Sequence, residues 1–169
     1  QTGLPATGSY TALALGDLTA DARPDLVAAG TGLGLRVWVN NGNGTWTEAS
    51  SGLPASSTFA DVVLADMNND GALDLVASNQ DVLGIRIYTW PTPAMPWMEK
   101  GPPWLGGYSG LDIGDFNDDG KLDIAASRPG VNGIELYLGN GAFGVLTTTS
   151  IYASPTVLYA RDAALGDLN

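Results

Sequence analysis

The chain has 169 residues, 44% hydrophobic and 15% charged, the composition of a globular domain with room for a sizeable core. Its net charge of −11 argues against nucleic acid as a partner, since neutralising phosphate needs Lys and Arg and 7 stand against 18 acidic residues. It has no cysteine and no histidine, which excludes disulfides, thiol nucleophiles, zinc sites of the usual Cys/His kind and imidazole general bases.

No apolar run approaches the ~18 residues of a membrane helix, so no membrane span is expected. No charged-then-apolar leader opens the chain. One that existed would have been removed ahead of Gln1, which would then be a mature terminus.

The first predicted strand is the alternating run Tyr10 to Leu15. An acidic loop opening at Asp17 follows, then the apolar run Asp25-Leu-Val-Ala-Ala and a third run, Gly34-Leu-Arg-Val-Trp-Val. The turn Asn41-Gly-Asn-Gly leads to a weaker fourth run at Thr45-Trp-Thr-Glu-Ala. The series then returns. Phe59 to Leu64, Asp66, Asp74-Leu-Val-Ala-Ser and Gly84-Ile-Arg-Ile-Tyr-Thr make the second unit. Tyr108 to Ile113, Asp115, Asp123-Ile-Ala-Ala-Ser and Gly133-Ile-Glu-Leu-Tyr-Leu make the third, and Tyr159 to Leu165 with Asp167 begins a fourth. The opening aspartates are 49, 49 and 52 residues apart.

Four short strands recurring every ~40–50 residues, with no helical period, are the signature of a propeller blade. The expected fold is all-β: blades of four antiparallel strands, three complete (about 1–50, 51–100 and 101–150) plus the first strand of a fourth (about 151–169). In the third strands, Leu35 and Val37 point one way and Arg36 and Trp38 the other, so both sheet faces are expected to be buried between stacked blades. The stretch from Trp90 to Gly107 holds five prolines and three tryptophans and is expected to be an irregular surface excursion around the second blade's outer strand. Its rings, Trp90, Trp97 and Trp104, either fold back over the blade edge or form a ligand surface.

Of 15 aspartates, 11 lie in the short loops. A like-charge cluster in a folded loop is costly unless a cation neutralises it. The loops place oxygen-bearing side chains at relative positions 1, 3, 5 and 9: Asp17, Thr19, Asp21 and Asp25; Asp66, Asn68, Asp70 and Asp74; Asp115, Asn117, Asp119 and Asp123. Position 7 (Arg23, Ala72, Lys121) can add a backbone carbonyl. This is a donor set for calcium, which takes six to eight oxygens, better than for magnesium, which keeps its waters. Gly71 and Gly120 at position 6 permit a positive φ; Ala22 there would cost roughly 1 kcal/mol. About three calcium ions are expected. Asp167 and Asn169 would begin a fourth, partial site.

At these residues the sequence resembles the FG-GAP or VCBS repeat family, known best from the β-propellers of integrin α subunits. The Asn40-Asn-Gly-Asn-Gly-Thr-Trp turn is also similar to bacterial and fungal members, some of them lectins. The resemblance implies a calcium-stabilised propeller, secreted or at the cell surface, that binds or adheres to a protein or carbohydrate, and no catalytic residue. The expected function is therefore an extracellular interaction or adhesion module rather than an enzyme. The alternatives are a lectin and an accessory domain of a secreted enzyme. Three units plus one strand do not close a ring, so other copies or the remainder of a longer chain are expected partners.

Overall fold

The structure, a computed structural model, describes residues 2–129 and 133–152. The expected fourth unit, with Asp167 and Asn169, lies outside the described residues. Among the described residues twelve strands form three four-stranded antiparallel sheets, in each of which neighbouring strands follow one another in sequence. The first sheet holds β1 (Tyr10–Gly16), β2 (Asp25–Gly30), β3 (Gly34–Asn40) and β4 (Trp46–Glu48). The second holds β5 (Phe59–Ala65), β6 (Asp74–Asn79), β7 (Ile85–Thr89) and β8 (Met98–Trp104). The third holds β9 (Gly110–Gly114), β10 (Asp123–Arg128), β11 (Gly133–Gly139) and β12 (Val145–Tyr152). No α-helix occurs among the described residues.

Period-two alternation decides which side chains share a face. Val27 lies between Ala14 and Val37 in register, and these project from one face of the first sheet. Leu26 lies between Leu15 and Trp38 on the other. The second sheet is buried on both sides. Leu75, Ala77 and Tyr88 pack with Val27, Leu35 and Val37 of the first sheet in one core. Val76, Ile85 and Ile87 pack with Leu111, Ile124 and Tyr137 of the third sheet in another. Continuous apolar second and third strands are thus explained: each face meets a neighbouring sheet.

The inner strands β1, β5 and β9 run side by side and are braced across the sheets. The Thr11 hydroxyl donates to the Phe59 carbonyl at 2.7 Å, and Asp61 Oδ2 accepts the Leu111 N–H at 3.0 Å.

The Trp90–Gly107 stretch departs from the expected excursion. Met98–Trp104 is the fourth strand of the second sheet, pairing Met98 with Thr89 and Glu99 with Tyr88 before a register slip that brings Trp104 opposite Ile85. Gly101 and Pro102 occupy that slip, on an edge strand, where a missing backbone donor is tolerated. The second sheet therefore runs to residue 104, past the expected boundary near residue 100.

Candidate functional site: the acidic loops

Each loop between the first and second strands of a sheet folds in the same way, and its own hydrogen bonds explain why. The position 1 carboxylate reaches forward to the amides of positions 5 and 6. Asp17 accepts from Asp21 at 3.0 Å and Ala22 at 2.7 Å, Asp66 from Asp70 at 3.0 Å and Gly71 at 2.8 Å, and Asp115 from Asp119 at 3.1 Å and Gly120 at 2.7 Å. The position 5 carboxylates then accept the N–H of position 7, Arg23, Ala72 or Lys121, at 2.9–3.0 Å. Side-chain acceptors of this kind replace ladder bonds in tight turns.

The curl needs the left-handed region twice per loop, at positions 4 and 6. The pairs are Ala20 and Ala22 (φ 57° and 64°), Asn69 and Gly71 (57° and 88°), and Asp118 and Gly120 (58° and 79°). Asn, Asp and Gly tolerate that region; alanine does not. Ala22→Gly is therefore expected to stabilise the first loop by about 0.5–1 kcal/mol, the relief of αL strain less the added freedom of the unfolded chain. Urea unfolding of the two proteins measures it, and no gain would mean that the strain is absent.

The position 9 carboxylates anchor each loop to its sheet from a buried place. Asp25 accepts N–H groups of Leu18 at 2.9 Å and Asn40 at 2.8 Å, and Asp123 those of Phe116 at 2.8 Å and Gly139 at 2.7 Å. Asp74 accepts from Met67 at 3.0 Å. Burial raises the pKa of Asp25, opposed by its two amide donors and reinforced by the charges of Asp21 and Asp17. Burial likewise pushes Asp74 up to about 7, with Asp70 and Asp66 adding to the effect. Asp17 behaves oppositely: desolvation works against its charge, but the amides of Ala22, Asp21 and Thr19 hold its carboxyl below the usual value.

The loops differ at position 7. Arg23 contacts the carboxylate of Asp21, and the Lys121 ammonium lies 3.3 Å from Asp119. Ala72 offers no charge, and Asp70 instead takes the Asn68 amide at 2.8 Å, which leads the causes lowering its pKa.

Among the described residues no group of three or more acidic side chains is drawn together as a metal cage. The donor chemistry nevertheless fits a hard cation. Every loop offers oxygen at positions 1, 3, 5 and 9, and in the first loop the hydroxyl oxygen of Thr19 is buried without a hydrogen-bond partner between Asp17 and Asp21 in sequence. A buried oxygen without a partner is what a coordinated ion would satisfy.

Of the three tryptophans, two are in the cores and Trp90 is half-buried. Trp97 and Trp104 are buried, in the first and second cores respectively. Trp90 stacks on Trp97 at 5.2 Å, and its indole N–H donates to the Met95 carbonyl at 2.8 Å. The Trp97 indole N–H donates to the Ala49 carbonyl at 3.0 Å, pinning the second sheet's outer edge to the first. Trp90 and Trp97 thus pack beside the outer edge of the second sheet.

Sequence reasoning missed one polar cluster. Glu135 accepts hydrogen bonds from Tyr108 (2.7 Å), Tyr137 (2.6 Å) and Arg128 (2.7 Å). The Arg128 guanidinium lies 5.7 Å from the centre of the Tyr108 ring. Burial opposes the Glu135 charge, but these three donors hold its pKa below the ordinary value. The available signal was Glu135 itself, which stands where the other third strands carry Arg36 and Arg86, each paired with an outer-strand glutamate.

These features define a repeat protein of antiparallel four-stranded sheets, each with one acidic loop between its first two strands. Residues 17–77 match the family model of the FG-GAP-like repeat. The match spans the first two loops and the strands between them, one full period. No curated protein matches the chain significantly.

Proposed function

We propose that the chain is a calcium-stabilised, non-catalytic interaction module, part of an extracellular propeller or repeating assembly used for adhesion. The observation that carries this reading is the threefold recurrence of one loop geometry, with left-handed residues at positions 4 and 6 and carboxylates at 1, 5 and 9. The ligands would be Asp17, Thr19, Asp21 and Asp25; Asp66, Asn68, Asp70 and Asp74; and Asp115, Asn117, Asp119 and Asp123. The carbonyls of Arg23, Ala72 and Lys121 would complete the sets. A bound cation would neutralise the acidic loops and lock them to their sheets. FG-GAP-like repeats are typically non-catalytic, and a chain without histidine or cysteine has no imidazole general base and no thiol nucleophile.

Calorimetric titration with calcium tests the reading. The expected result is about three ions, each at the weak affinity of extracellular modules, on the order of 10⁻⁴–10⁻³ M. Asp70→Ala should remove one ion, whereas Thr19→Ala should weaken one site without abolishing it. No calcium uptake by the folded protein would overturn the reading.

A further inference from the structure

The turn between β3 and β4 carries side chains that its own fold does not require. It closes with the Asn41 N–H donating to the Thr45 carbonyl at 3.1 Å. In the third sheet the same turn closes from the Asn140 N–H to the Gly144 carbonyl at 3.3 Å, so Ala142 and Gly144 stand where the first sheet has Asn43 and Thr45. A turn that forms over alanine and glycine has no structural need of an amide and a hydroxyl at those places.

Asn43-Gly44-Thr45 is an Asn-x-Thr tripeptide without proline, and no other asparagine of the chain has Ser or Thr two residues on. This spacing is the acceptor signal for N-linked glycosylation, in which the transferring enzyme holds the hydroxyl while the asparagine amide meets the sugar.

The surroundings leave room for that chemistry. Asn43 is exposed, and Gly44 beside it lies in the left-handed region (φ 82°) with no atom within 4 Å of where a Cβ would stand. Asn43 Oδ1 accepts the Thr45 N–H at 3.1 Å and the Thr45 hydroxyl at 2.7 Å, an Asx turn that fixes which way the carboxamide faces. Its Nδ2, the atom that would carry the sugar, has no hydrogen-bond partner among the described residues. The neighbouring amides are committed instead. Asn40 Nδ2 donates to the Pro24 carbonyl at 3.2 Å, and Asn41 Nδ2 to the hydroxyls of Thr45 and Thr47 at 2.8 and 3.1 Å.

We propose that Asn43 is the acceptor of an N-linked oligosaccharide. Its Nδ2 attacks the anomeric carbon of a sugar carried on a polyprenyl diphosphate. The new N–C bond forms as the C–O bond to the diphosphate breaks; Nδ2 gives up one proton and the lipid diphosphate departs. The turn sits at the end of β4, the sheet edge opposite β1, and neither Asn43 nor Thr45 belongs to either core. A glycan there leaves the packing between sheets untouched. The proposal rests on the extracellular part of the function above, because transfer of this kind acts on chains entering a secretory route.

Peptide mapping of the full-length protein, purified from the cells that make it and from their medium, tests the assignment. The expected result is a glycopeptide containing Asn43. Amidase release in heavy-oxygen water should leave a labelled aspartate at position 43, which separates the site from spontaneous deamidation of Asn43-Gly44 in ordinary water. Re-expressed in the same cells, Asn43→Gln and Thr45→Val should lose the sugar, whereas Thr45→Ser and Asn41→Gln should keep it. The last two disturb the same turn but spare the acceptor signal, so a loss through misfolding would show in all four. A sugar that persists in Thr45→Val, or a bare Asn43 in the secreted protein, overturns the proposal; the second result leaves the extracellular reading standing. Protein found only inside the cell, with Asn43 bare, removes both.

Discussion

Chelating calcium is expected to lower the melting temperature by roughly 10 °C, the largest effect any single solution change should have on this protein. At tenfold excess over its dissociation constant, one bound ion stabilises the folded state by about 1.4 kcal/mol, and three independent ions by about 4 kcal/mol. For a domain of this length a kilocalorie moves the midpoint by about 2–4 °C. The direction follows from the loops. Nine aspartates stand at positions 1, 5 and 9 of the loops, and Arg23 and Lys121 are the basic side chains paired with them. The measurement is a pair of thermal melts, in millimolar calcium and in excess chelator with metal content checked. Magnesium in place of calcium should restore little of the difference, because it surrenders its waters reluctantly. Identical melts in the two buffers would mean that the carboxylate–amide bonds alone hold the loops.

Much of this architecture is legible before any coordinates. Asp17, Asp66 and Asp115 recur with the same apolar runs on either side, and period-two alternation assigns Leu35 and Val37 to one face and Trp38 to the other, as the register shows. The left-handed loop positions are half legible. Gly71 and Gly120 announce position 6, whereas at position 4 Asn69 and Asp118 are only weakly suggestive and Ala20 gives no signal.

The fourth strand of the second sheet is expected from the repeat, but its bounds are not legible because Pro102 and Pro103 suppress local strand propensity, and an edge strand needs few of its own amides. Trp97 and Trp104 were ambiguous for a different reason. An aromatic beside proline is equally suited to a ligand and to a core, and only the neighbouring sheet, through Ala49 in one case and Tyr137 in the other, decides. The Glu135 cluster joins residues from β10, β11 and the approach to β9, and no local pattern encodes that meeting. Side-chain spacing identifies candidate ligands in the loops, but it does not say how closely the carboxylates converge without an ion.

The second large effect is expected at the buried end of each loop, where Asp25→Ala or Asp123→Ala should cost about 3–5 kcal/mol even in chelator. Both carboxylates are 0% exposed, and each joins two segments of the chain. Asp25 links the loop amide of Leu18 to the end of β3 at Asn40, and Asp123 links Phe116 to the end of β11 at Gly139. Truncation leaves two N–H groups without acceptors, and an orphaned buried donor costs about 1–3 kcal/mol. Asp→Asn should lose less, since the amide oxygen still serves one of the two donors. Thr19→Ala in the same buffer should be nearly neutral, because the Thr19 hydroxyl has no protein partner to lose. Urea unfolding of these variants and the parent in excess chelator separates this structural role from any metal. If Asp25→Ala and Asp123→Ala unfold at the same urea concentration as the parent, water has replaced the carboxylates and the loops are not anchored to their sheets in this way.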